Sequence, residues 1–360
     1  MASLDPDYLQ MVSKTIVDIY SDATSHMIRI VASRLARGLT VDDGWATRKL
    51  LEVVELRNQA VRALDGLDSE ATDAVTDVIK QAATRGSKLA ATELAVTGTP
   101  AASTSTGSVD ALAHETVTRL SGTHAQILRA TVDAYRAVVA EVSAPGVVTG
   151  TVTRRQAAAR AIDRWAAQGV TGFVDRAGRR WEIETYAEMT TRTAAGRAFM
   201  QGSIDQYQTE GHQFVIVSDA PEECAQCRPF EGKGLSLDGT GVGTRVGGIR
   251  IVATLRDAQS KGLFHQNCRH RVSPIIPGAT KPMTHTADPE GDQQRQRQRT
   301  LERRIRSAKR RLTAAEQIAD PEGVTVARAR VRQAQADMRD FIDTTGRKRL
   351  RTREQIGTAR

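Results

Sequence analysis

The chain has 360 residues, 40 % of them hydrophobic but only 4 % aromatic, and a net charge of +9. A length near two domains and an aromatic-poor composition rich in Ala, Arg, Thr and Val favour long helices over a dense β sandwich. Neither a signal-peptide pattern nor an apolar run long enough to span a bilayer occurs, so a soluble, cytoplasmically folded protein with no membrane partner is expected.

The first stretch is helical in pattern. Leu9, Val12, Ile16, Ile19, Met27, Val31 and Leu35 recur at three- and four-residue spacings until Gly38 stops them. A second helix is expected from Asp43 to Leu64, with Leu51, Val54 and Val61 buried and an end at Asp65-Gly66. A third starts at Ser69, followed by acids that suit a helix N-terminus, and runs to about Leu94. Residues 1–96 thus form an N-terminal helical region, and residues 97–108, TGTPAASTSTGS, form a linker. One long helix follows over Val109–Val142 before Pro145-Gly146 breaks it, so residues 109–152 are a helix and linker. His26, His114 and His124 read as surface or satisfied helical histidines, since none has a second ligand at metal spacing.

From Thr153 the texture changes. A short helix closes at Gly169, and GVTGFVDRAGRRWEI alternates around Ala177-Gly178 as a β-hairpin does. A helix over Glu184–Thr209 and a strand at Phe214–Val217 complete an α+β domain over residues 153–280. The remainder, residues 281–360, carries two heptad stripes. Leu301, Ile305, Ala308, Leu312, Ala315 and Ala319 form one; Val324, Ala327, Val331, Ala334, Met338 and Phe341 form the other. Joined by Asp320-Pro321-Glu322-Gly323, they predict a helical hairpin or a coiled coil with another chain. The fold class expected is predominantly helical α+β.

Charge is unevenly placed. Residues 281–360 hold 20 Lys+Arg against 11 Asp+Glu, while residues 1–280 hold 31 of each sign. A neutral body with a basic tail suits a polyanion or an acidic protein surface. Arg303, Arg304, Arg306, Arg310 and Arg311 lie off the apolar stripe and are expected to face outward.

All three cysteines fall in one stretch: Cys224 and Cys227 at knuckle spacing, then Cys268 with His265 three residues before it and His270 two after. Three thiols cannot all pair, and in a reducing compartment CxxC points toward metal. Cys3His satisfies tetrahedral zinc, with either histidine as the fourth ligand. Packed thiols without metal, and a catalytic zinc, are the other two readings. The catalytic one lacks its signatures: His212 is not followed by the H-x-E glutamate of a nucleobase deaminase, and neither H-E-x-x-H nor GxxxxGK[ST] occurs. A nucleophilic Cys268–His270 pair stays open.

Four blocks in one order then match a known family. They are GVTGFVDRAGRRW (Gly169–Trp181) with the following YAEMTTRTA helix, SDAPEECAQCRPFEG (Ser218–Gly232), NCRHRVSPIIPG (Asn267–Gly278) and QRQRTLERRIRSAKRR from Gln294 to Arg311. In these the chain resembles the minor capsid protein 2 family of tailed bacteriophages, related to the Mu F-like head proteins. Cys268 and His270 fall on the NCRH block, and the Cys224/Cys227 pair is closer to the Mu F-like pattern.

The resemblance implies a structural, non-enzymatic virion protein in few copies, inside the head at or near the portal. It would assist head assembly, DNA packaging or ejection, and would be present in the host cytoplasm during assembly. Its expected partners are portal protein, other head proteins and packaged DNA, the last met by non-specific phosphate contacts of the basic tail. No catalytic residues come with it. One structural zinc on Cys224, Cys227, Cys268 and His265 or His270 is the only cofactor considered. The alternative is a metal-dependent nuclease or peptidase delivered with the genome.

Overall fold

The computed structural model describes residues 6–37, 44–95, 106–143, 153–167, 172–175, 178–220, 222, 225–281 and 288–356. Within them lie helices α1 (Pro6–Ala36), α2 (Trp45–Leu51), α3 (Val53–Glu93), α4 (Thr106–Ser121), α5 (His124–Val142), α6 (Arg154–Ala167), α7 (Ile183–Thr209), α8 (Leu255–Ser260), α9 (Pro289–Ile318) and α10 (Pro321–Thr345). Seven short strands, β1–β7, fall between residues 173 and 274, so the architecture is the expected predominantly helical α+β. No helix among the described residues is long and apolar enough to cross a membrane.

The strongest local periodicities formed as read: α7 begins one residue before its expected start, and the strand at Phe214–Val217 has its expected bounds. Two helix ends differ. The chain does not break at Asp65-Gly66; α3 runs through it for 41 residues. A helical glycine costs only about 1 kcal/mol, and the buried stripe of Leu64, Leu67 and Ala71 continues across it. The break comes earlier, at the Glu52 C-cap of α2. That shifts the helix phase, so Val53, Leu56 and Ala60 are buried while Leu51 and Val54 are 75 % and 68 % exposed, against expectation. Conversely the expected helix over 109–142 is two helices. They part at Gly122-Thr123, where the Thr123 hydroxyl donates to the Leu120 carbonyl at 2.7 Å. The expected breaks at Gly38, Pro145-Gly146 and Gly169, and Ala177 of the hairpin turn, lie outside the described residues.

The chain divides into two compact units, each drawn from three separate stretches. The first comprises residues 1–16, 72–119 and 188–295. It holds a sheet in the order β5-β6-β4-β3-β7, where β5 is Arg245–Val246 and β6 is Ile249–Thr254, with β3 (Phe214–Val217) antiparallel to both β4 (Gly234–Ser236) and β7 (Val272–Pro274). On one face Val215, Val217, Leu235, Ala253 and Val272 pack with Met200, Ile204 and Tyr207 of α7. On the other, Ile216, Ile249, Ile251 and Ile275 cluster. A strand covered on both faces must be apolar throughout, which explains the unbroken FVIV run.

In the same unit α3 and α7 touch backbone to backbone. A Cβ on Gly86 would lie 1.9 Å from the Phe199 carbonyl oxygen, and one on Gly202 would lie 2.1 Å from that of Ala83. The Ser203 hydroxyl donates to the Gly86 carbonyl at 3.1 Å, and the Ser87 hydroxyl to Gln206 Oε1 at 3.2 Å. Small residues thus replace aromatic bulk as the means of contact.

The second unit comprises residues 17–71, 120–187 and 296–360. Here α9 and α10 form the intramolecular helical hairpin, with Leu301, Ile305 and Ala308 packed against Ala334 and Met338. The Asp320 carboxylate caps α10 by accepting from the Gly323 N–H, and Gly346 closes it in the left-handed conformation. The hairpin of β1 (Phe173–Val174) and β2 (Arg180–Trp181) forms too. Its Asp175 carboxylate takes a 2.8 Å bond from the Trp181 indole N–H, which with the Arg179 N–H lowers its pKa to about 2.

The expectation that all five off-stripe arginines face outward is corrected. Arg303 and Arg304 are exposed, but Arg306 and Arg310 are buried. Arg310 donates to Glu184 at 3.2 Å and to Glu182, and Arg306 donates to the Thr185 hydroxyl and the Arg353 carbonyl. Arg311, half-buried, pairs with Asp163. Burial opposes the charge on Arg310, yet Glu184 and Glu182 outweigh it and raise its pKa. The carboxylates were too distant in sequence for stripe counting to register.

This packing sets the cost of altering it. Gly86→Ala and Gly202→Ala should each destabilise by about 1–3 kcal/mol through forced helix separation. Gly66→Ala, with nothing within 4 Å of its Cβ, should stabilise by about 0.5–1 kcal/mol, both read as melting shifts by circular dichroism. In the second unit Arg310→Ala should cost about 3–5 kcal/mol by orphaning buried carboxylates, whereas Arg303→Ala should stay within about 0.5 kcal/mol in urea titrations.

Candidate metal centre

The site lies wholly in the first unit and is built by two segments. One leaves β3 and reaches Cys227, which is fully buried and caps a 3₁₀ turn over Arg228–Phe230. The other leaves α8, turns at His265–Cys268 and enters β7. That turn is tight: the Cys268 N–H donates to the His265 carbonyl at 3.1 Å, and Phe264 and Asn267 sit at φ +58° and +62°. Two non-glycine residues in the left-handed region mark a backbone held by its surroundings.

Residues 268–271 lead into β7, and the His270 N–H donates to Cys268 Sγ at 3.4 Å. Cys268 and His270 turn toward Cys227. The two sulfurs are 3.6 Å apart, and His270 Nδ1 lies 3.3 Å from Cys268 Sγ. All three donor atoms lie within 4.8 Å of one another. Behind the ring, His270 Nε2 meets Glu231 Oε1 at 2.5 Å, with both side chains buried. Arg269 and Arg271 point the other way. Arg269 pairs with Glu222 at 3.2 Å, and Arg271 with Glu93 at 2.7 Å, whose other oxygen accepts from the Tyr207 hydroxyl at 2.6 Å.

The electrostatics agree with a crowded donor set. Its hydrogen bond with Cys268, together with burial, pushes the Cys227 thiol up. His265 is raised mainly by a hydrogen bond with Cys227, so its ring also stands against this sulfur. For His270, burial pulls the pKa down, but Cys227 and Glu231 outweigh it and the net shift is upward. A cavity of about 620 Å³ reaches the edge of the cluster, bordered by Leu112, Glu115, Arg197, His265, Cys268 and His270.

Of the five residues singled out from sequence, Cys227, Cys268 and His270 converge, His265 adjoins Cys227, and Cys224 lies outside the described residues. Glu231 was missed. It sits in the RPFEG segment with no spacing signal that ties it to His270, 39 residues on. The three helical histidines are accounted for: His26 and His114 are exposed, and His124 bonds Tyr20 at 3.2 Å and faces Asp68 at 3.4 Å.

Two buried sulfurs and an oriented imidazole suit a soft or borderline cation, and the carboxylate behind the ring is the usual outer partner of a metal-binding histidine. The same row, thiol to imidazole to carboxylate, also has the order of a nucleophilic triad.

A profile of the family described as phage minor capsid protein 2 matches residues 4–343. A structural protein of Lactococcus phage LL-H is 24 % identical over 315 residues, which cover 83 % of this chain and 85 % of that protein. No solved structure matches the chain. The profile spans both units and includes the NCRHR segment and the helical hairpin, so the match is not confined to one motif. The chain belongs to the phage minor capsid protein 2 family.

Proposed function

We propose that this chain is a low-copy structural component of a tailed-phage head, inside the capsid at or near the portal. There it contacts portal protein, other head proteins and packaged DNA, and assists assembly, packaging or ejection. The observation that carries the reading is the sorting of the C-terminal cations. Arg306, Arg310 and Arg353 are buried in ion pairs or carbonyl contacts, whereas Arg297, Arg332, Arg339, Lys348 and Arg351 are exposed with no acidic partner among the described residues. Arg332 and Arg339, seven residues apart on α10, share a helix face. Exposed guanidinium groups without carboxylates are free to meet phosphate, and such contacts carry no sequence information.

A second reading, an enzyme delivered with the genome, has one observation in its favour: the Cys268–His270–Glu231 alignment. Against it, Cys227 packs on Cys268, the two sulfurs 3.6 Å apart. The donors also converge on one another, which leaves the thiol facing a second thiol.

Cross-linking mass spectrometry on purified particles should find the chain in few copies, joined to portal protein. A chain abundant in lysate yet absent from particles would overturn the assignment. Replacing Arg332 and Arg339 together by Gln should lower the log–log salt slope of DNA binding by about 1.8, at about 0.9 for each phosphate no longer neutralised. An unchanged slope would rule out phosphate as the partner of these two side chains. The enzyme reading gains ground only if purified chain cleaves DNA or a capsid precursor and a folded Cys268→Ser variant does not.

A further inference from the structure

We propose that Cys227, Cys268 and His270 bind one structural zinc ion, a property independent of where the chain sits in the particle. The geometric argument is a comparison of edges. Zinc bonds of about 2.3 Å to sulfur and about 2.0–2.1 Å to nitrogen, arranged tetrahedrally, set ligand atoms about 3.8 Å apart for two sulfurs and about 3.5 Å for sulfur and nitrogen. The corresponding separations here are 3.6 Å and 3.3 Å. Those two edges therefore need shifts of only a few tenths of an ångström, and the third, Cys227 to His270, lies within 4.8 Å. A disulfide between Cys227 and Cys268 would instead need the sulfurs to approach to about 2.05 Å.

Distance alone does not separate a metal site from packed thiols, which touch at similar range. The imidazole does. Glu231, buried and 2.5 Å from Nε2, fixes the proton on that nitrogen and turns the Nδ1 lone pair toward the sulfurs. The same carboxylate oxygen also accepts from the Ala220 N–H at 3.4 Å, which holds it behind the ring at a desolvation cost that a nearby cation would offset. Behind a cationic centre it lends the ring basicity and offsets charge.

The ion's place in the chain makes it a staple. Cys227 ends the excursion from β3, and Cys268 and His270 begin β7, so one ion joins the two ends of a 41-residue separation across neighbouring strands. It would also hold the His265–Cys268 turn, with left-handed Asn267 inside it and left-handed Phe264 just before it. The fourth corner falls to His265, whose carbonyl closes the turn on the Cys268 N–H at 3.1 Å. The cavity meets the cluster on the Cys268–His270 side and gives the ion an entry path.

Elemental analysis of the full chain purified without added metal should give about one zinc per chain. Cobalt substitution should give the visible bands of a tetrahedral thiolate site. X-ray absorption should show two sulfurs and two nitrogens around the ion, which assigns His265 as the fourth ligand. Glu231→Gln should retain the ion with affinity weakened about 10- to 100-fold. Cys268→Ser and His270→Ala should lose it; should either fail to fold, the stoichiometry and cobalt spectrum of the unaltered chain still decide. A metal-free chain that melts at the same temperature with and without chelator overturns the proposal, as does full zinc occupancy in Cys268→Ser.

Discussion

Period-two alternation over four residues organises the first unit. In Cys268-Arg269-His270-Arg271 the partners alternate: the thiol and imidazole meet Cys227 and each other, and the two guanidinium groups meet carboxylates. One side builds the Cys/His cluster with Cys227 and Glu231; the other is anchored by Glu222 and by Glu93 at the end of α3. A one-residue slip would exchange the two sets, placing arginines among sulfurs and the histidine among carboxylates. The pairing of Val217 with Val272 fixes the register one residue beyond Arg271, and the salt bridges hold it from the far side.

A chain with 4 % aromatic residues has little bulk with which to fill a core. Three other devices serve instead. Glycines at 86 and 202 let two helices meet at backbone contact, where dispersion is gained from many close atoms. Buried ion pairs join Arg310 of α9 to Glu182 and Glu184 at the start of α7, and their value is chiefly one of specificity, since a misaligned pair leaves charges buried alone. The Cys/His cluster ties loop to strand. Each device is directional, which suits long helices that must meet at one register.

The basic tail therefore has two roles in one helix pair. Its inward cations act as internal ties, and its outward ones keep their charge available to an external polyanion. Under the proposed contact with packaged DNA this division has a use: the buried set holds the hairpin in place, and the exposed set would act in a salt-dependent way.

How much of this was readable beforehand follows from the range of each interaction. The stripe from Leu301 to Met338, the FVIV strand and the α7 helix were legible because their information repeats every two to four residues. The sulfur and histidine cluster was legible as a group, since its residue types are rare in this chain. Helix ends were less so: a glycine at 66 left α3 intact while Gly122-Thr123 ended α4, because penalties near 1 kcal/mol are overruled by whichever face finds cover. Glu231 behind His270, Glu93 beneath Arg271 and Glu184 beside Arg310 could not be read at all, being 39, 178 and 126 residues from their partners. Sequence by itself thus determined the periodic elements and the inventory of donors. The tertiary structure alone decided which charges are buried and which histidine faces the sulfurs, because burial and pairing are properties of neighbours brought together only when the chain closes.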